Sequence, residues 1–138
     1  MVEINIEYAG GLRCSAVHGP SKASLHTDAP VDNHGKGESF SPTDLVATAL
    51  GTCMTTLMGI RAGDMNLVLD GFEVRVIKHM SASPRRIAKL EVVLTAPEGL
   101  ETNEDQRRKL EHAAETCPVR LSLLDAMEVP TTFHWSTK

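Results

Sequence analysis

Ser41-Pro42-Thr43-Asp44-Leu45-Val46-Ala47-Thr48-Ala49-Leu50-Gly51-Thr52-Cys53-Met54-Thr55-Thr56-Leu57-Met58-Gly59-Ile60-Arg61-Ala62 is the stretch that decides how this chain folds. Ser41 can cap a helix, Pro42 suits the first helical position because its missing N–H would be unpaired there anyway, and Asp44 sets a negative charge at the positive end of the helix dipole. Val46, Leu50, Cys53 or Met54, and Leu57 recur at three-and-four spacing, while Leu45, Ala49, Met58 and Ile60 make the opposite side apolar as well. The pattern predicts a helix to about Ala62 that is buried all round. A small domain rarely has room to bury such a helix, so a second subunit is expected to cover part of it, with Gly51 and Gly59 permitting close backbone approach. The run without charge, Leu45 to Ile60, is shorter than the roughly 20 residues that span a bilayer, so no membrane partner is expected.

Upstream of that helix, Val2, Ile4, Ile6 and Tyr8 alternate with Glu3, Asn5 and Glu7, the period of two that turns one face of a strand toward a core. Ala9-Gly10-Gly11 supplies a turn into a second strand, about Leu12 to Val17, and Lys22 to Thr27 reads as a third. Asp28 to Ser39, with Pro30, Asn33, Gly35 and Gly37, is a loop of a length that is often functional. Downstream, strands are expected at about Leu69 to His79 and Ile87 to Thr95, and then a helix opened by Thr102 and closed by Pro118. A short helical piece over Val119 to Asp125 and a last strand over Thr131 to Trp135 complete the order. Glu101, Glu104, Asp105, Arg107, Arg108 and Lys109 read as a solvated helix face. The fold class is α+β, with antiparallel pairing and the helices gathered on one face.

Composition bounds the rest. With 138 residues, 41% hydrophobic and 23% charged, the chain suits one domain over 1–138 and lies outside the regime of chains that cannot collapse. A net charge of −4 and a pI near 5.8 argue against a nucleic-acid partner, which would select a concentrated basic face. The first residues hold neither a basic n-region nor an apolar h-region, so a cytoplasmic location is expected. Three cysteines with no CxxC pair suggest neither a disulfide framework nor a zinc ribbon.

Cys53 and Cys117 fall in helices, 64 residues apart, so only the fold can bring them together. Read by residue type alone, both are small buried hydrophobes; a reactive thiol needs a lowered pKa, and Cys53 lies too far along its helix for the dipole to supply it. A nearby cation would be required. Arg13 is one candidate, although in isolation an exposed strand arginine is the simpler reading of it. Cys14 has no assigned role, and the histidines at 18, 26, 34, 79, 112 and 134 show no metal-binding spacing.

The segment from Ser41 to Cys53 resembles the central helix of the OsmC/Ohr family, and Glu115-Thr116-Cys117-Pro118-Val119 is similar to that family's second cysteine at a helix end. Asp28-Ala29-Pro30 and the Gly-containing loop before Ser41 resemble the OsmC-like branch. The resemblance implies an OsmC-like fold, with an antiparallel sheet and a long buried central helix, and an intertwined homodimer with active sites at the subunit interface. It implies thiol peroxidation: Cys53 attacks an organic hydroperoxide, Cys117 resolves the sulfenic acid as a disulfide, and an external dithiol reduces it again. No cofactor and no metal are implied, because sulfur carries the electrons. Arg13 matches the family's activating arginine approximately. The chain departs from the family pattern at Thr43, where the resemblance would place a glutamate that holds that arginine; Asp44 stands beside it and Glu38 lies upstream. The alternative is a dimer that binds a small apolar molecule or senses redox state without catalysis.

Overall fold

The decisive segment forms helix α1 (Pro42–Gly63). Ser41 Oγ accepts from the Asp44 N–H at 3.2 Å and Asp44 Oδ2 accepts from the Ser41 N–H at 2.8 Å, a reciprocal cap that satisfies two backbone donors. The computed structural model describes residues 1–136, and the chain divides into two compact units, residues 1–46 and 47–138.

Within the first unit, β1 (Ile4–Gly10), β2 (Arg13–His18) and β3 (Ser24–Asp28) form an antiparallel sheet in that order. Direct cross-strand pairs put Ile6, Ala16 and Leu25 on one face, with Tyr8, Cys14 and Thr27 beside them. The alternation in β1 was expected to turn an apolar face onto a core. In the single chain that face is open: Ile6 and Tyr8 are 68% and 64% exposed. The buried residues of this unit are polar, Thr27, Asp28 and Ser41. A 3-10 turn at Val31–Asn33 interrupts the expected loop, and its closing fold needs Gly35, where a Cβ would collide with the Ala29 carbonyl.

The second unit has an apolar core. Ala47, Leu50, Met54, Met58 and Ala62 of α1 are buried, as are Ile87, Leu90, Val92 and Leu94 of β5 (Arg85–Thr95) and Leu110 and Ala114 of α2 (Glu104–Glu115). The α1 residues form a single stripe at helical spacing, so in the single chain the helix is buried along one face and not all round. Its other side exposes Thr48, Thr52, Thr56 and Ile60, and each of these threonines after the first bonds back to the carbonyl one turn earlier. The whole helix, unlike its uncharged run alone, is long and apolar enough to cross a bilayer, a test that the core helix of a soluble protein also passes. Gly51 does permit a close approach, but within the chain: a Cβ there would stand 2.9 Å from Val76 Cγ2 of β4 (Glu73–Ala82). Gly59 faces open space.

The expected antiparallel sheet requires correction. There are two three-stranded sheets, and in the second β4 pairs antiparallel with β5 while β6 (Thr131–His134) pairs parallel with β5. Between β5 and β6 the chain passes through α2 and α3 (Pro118–Ser122), and such a crossover returns the next strand in the same direction. Smaller shifts have local causes. β4 starts at Glu73 because Leu69 to Phe72 closes a turn with Gly71 at φ 84°, and α2 is capped by Asn103, not Thr102, through a reciprocal bond pair with Gln106. Arg107 leaves the solvated face, lying 5.7 Å over the Trp135 ring and donating to Thr102 Oγ1.

Candidate functional site

The two cysteines predicted to act together do meet. Cys53 sits on α1, half-buried, and Cys117 is fully buried at the cap of α3. The two thiols are near enough for Cys53 to act on the titration of Cys117. Pro118 at the first position of α3 stops the preceding helix and turns the Cys117 side chain so that its Sγ accepts from the Arg120 N–H at 3.4 Å. Burial pushes the Cys117 thiol above its ordinary pKa of 9.0. The neighbouring Cys53 pushes the same way, and the amides of Arg120 and Val119 oppose it without reversing the result. Cys117 is therefore the protonated, inaccessible member of the pair, and Cys53 the member that solvent reaches.

The second unit also carries a cleft of about 430 Å³ between α1 and α2, which neither cysteine lines. Leu57, one turn beyond Cys53, lines it together with Ile60, Ala113 and Thr116, the residue before Cys117; Arg61 and Lys109 stand at its rim.

Arg13 belongs to the first unit, at the start of β2. Its Nη2 donates to Asp28 Oδ2 at 3.4 Å and, more closely, to Glu38 Oε2. Asp28 lies directly across from Arg13 in the sheet register, and its carboxylate is 1% exposed. It accepts the Glu38 N–H at 2.9 Å, and this bond, then the Arg13 charge and the Lys36 amide, hold its pKa below the ordinary aspartate value against the opposing effect of burial. Thr43, where the resemblance would place a glutamate, has its hydroxyl 3.1 Å from Ser41 Oγ, and Asp44 is engaged in capping α1. The arginine is thus held, by Glu38 and Asp28. Sequence reading noticed Glu38 but took Asp28 only as the start of a loop. The signal that could have found it is strand register: Arg13 begins one strand, Asp28 ends its neighbour, and antiparallel pairing sets those ends side by side.

The site is thus an α+β fold carrying two neighbouring cysteines, one buried and the other reachable. The OsmC-like protein family model matches residues 35–132, and the chain belongs to that family. It is similar to a protein of Psychrobacter arcticus 273-4 described as an osmotic stress induced and detoxification response protein, with 40% identity over 97% of this chain and 96% of that one and a TM-score of 0.91. It shares its fold with the organic hydroperoxide resistance protein OsmC of Legionella pneumophila, at 19% identity, 97% and 96% coverage and TM-score 0.72. An organic hydroperoxide resistance protein of Elizabethkingia anophelis, at 13% identity, 97% and 95% coverage and TM-score 0.75, has the same fold. No curated protein matches the chain.

Proposed function

We propose that this protein is a thiol-dependent peroxidase that reduces organic hydroperoxides. The observation that carries the reading is an accessible Cys53 next to a buried, protonated Cys117. Cys53 as thiolate attacks the distal oxygen of ROOH; the O–O bond breaks, RO⁻ leaves and takes a proton as ROH, and the sulfur becomes a sulfenic acid. Cys117 then attacks that sulfur, the S–O bond breaks, and water leaves as the disulfide forms. An external dithiol restores both thiols by exchange and is itself oxidised to a disulfide. Arg13 is carried over from the family resemblance as the cation of this chemistry.

A homodimer belongs to the same proposal. The open face of β1 and β3 and the exposed side of α1 are apolar surfaces of the kind that a second subunit covers. A reducing compartment such as the cytoplasm would keep the thiols available between turnovers.

The test is intact mass and free-thiol count after one equivalent of an alkyl hydroperoxide, with hydrogen peroxide in parallel. Loss of two thiols and of the mass of two hydrogens, mapped to Cys53 and Cys117 and faster with the organic oxidant, is expected. Cys53→Ser abolishes turnover, and Cys117→Ser leaves one oxidation event per subunit. Unchanged thiols in the wild-type protein would sink the peroxidase and leave the non-catalytic, ligand-binding dimer.

A further inference from the structure

We propose that Asp28 is a positioning residue for Arg13, setting the guanidinium both by direct contact and by delivering Glu38 to it; the proposal rests on the peroxidase reading. An exposed arginine paired with an exposed glutamate would contribute little and orient nothing, since solvent screens the attraction and both side chains stay mobile. Asp28 differs from that case in its burial. A buried carboxylate is costly unless donors surround it, and here the donors come from two separate pieces of chain. From β2 comes Arg13 Nη2 and from the loop the amide of Glu38, both to Oδ2, with the Lys36 amide favouring the charge nearby, while the buried Oδ1 has no hydrogen-bond partner among the described residues.

The consequence is geometric. Receiving the Glu38 amide places the Glu38 side chain beside the same Nη2 that Asp28 itself contacts. The backbone of the loop reinforces the arrangement, with the Asp28 N–H donating to the Phe40 carbonyl at 3.1 Å and the Gly37 N–H to the Ala29 carbonyl at 3.2 Å. Both carboxylates therefore hold one corner of the guanidinium. Among the described residues Nε and Nη1 make no hydrogen bond, so an arginine fixed at Nη2 keeps its remaining donors for an incoming electronegative group. Neutral hydrogen bonds could have tied the loop to the sheet; a buried anion at this register position also aims a cation.

The experiment compares wild type with Asp28→Asn, Glu38→Gln, Arg13→Gln and the Asp28→Asn/Arg13→Gln double variant. Asn keeps an acceptor for the Glu38 amide and removes the charge, and Glu38→Gln is a surface change that the fold tolerates. The first readout is the rate of thiol loss with an alkyl hydroperoxide. Asp28→Asn is expected to slow it on the order of 10- to 100-fold, a typical consequence of a misplaced catalytic group, and to add nothing in the Arg13→Gln background. An equal slowing in both backgrounds, or no slowing at all, overturns the proposal. The second readout is modification of Arg13 by phenylglyoxal, followed by peptide mass, which needs no peroxidase activity. Faster modification in Asp28→Asn and Glu38→Gln upholds the bracket even if the wild-type thiols ignore hydroperoxides, and rates equal to wild type overturn it.

Discussion

Residues 1–46 and residues 47–138 are held together by opposite kinds of chemistry. The second unit closes an apolar core in which Leu50, Met54, Met58, Leu90, Val92, Leu94 and Leu110 are fully buried. The first buries polar groups, chiefly Asp28 and Ser41, and leaves its isoleucines and its tyrosine outside. Within the chain one apolar face of its sheet stays uncovered, so the first unit is specified by hydrogen bonds and charge. The two units differ accordingly in what they offer chemically: a cation aimed by carboxylates in one, a dithiol set against a core in the other.

The sharpest way to break this contrast is to remove the same kind of group from each unit. Leu90→Ala, inside the second core, is expected to cost about 2–5 kcal/mol in chemical denaturation. Ile6→Ala, by contrast, should change the stability of an isolated subunit by no more than about 0.5 kcal/mol. A large loss at Ile6 that depends on protein concentration would show that the open face is covered by a second copy, and sedimentation velocity of Ile6→Ser would then report a shift toward monomer. Gly51→Ala comes next: the new methyl would press on Val76 Cγ2, and a loss of about 1–3 kcal/mol by thermal or denaturant melting is the expected cost of overpacking.

The smallest effects are the pH dependences, and they run in opposite directions. Asp28 has a folded pKa below its unfolded value, so its contribution is present above the ordinary 3.8 and is lost as pH falls through the lower, folded value. Cys117 has a folded pKa above its unfolded value, so stability is intact below the ordinary 9.0 and declines as pH rises from there toward the folded value. Melting temperatures measured across both windows should show Asp28→Asn flattening the acid slope and Cys117→Ser the alkaline one. A variant that altered the other's window would show that the two units do not divide the chemistry in this way.

Much of the fold was legible because local rules acted without competition. The Ser41 cap with Asp44, the turn at Gly10-Gly11 and the stop at Pro118 are decided within a few residues, and so the elements fell close to their expected places. Where two local options were similar, the boundary moved: Asn103 capped α2 in place of Thr102 because its partner Gln106 could reach back. The direction of β6 was not legible, since a short strand carries no mark of its neighbour and only the crossover through α2 and α3 makes the pairing with β5 parallel.

The amino-acid sequence by itself determined that the chain is α+β, that a long capped helix carries Cys53, and that Cys117 sits at a helix boundary before a proline, because spacing, capping and proline geometry are short-range properties. Only the tertiary structure decided that the two cysteines become neighbours across 64 residues of chain, that Asp28 is the buried anion behind Arg13, and which side of the central helix the chain itself can cover. Contact between distant residues, and the burial that shifts a thiol or a carboxylate, arise from packing that no local pattern encodes.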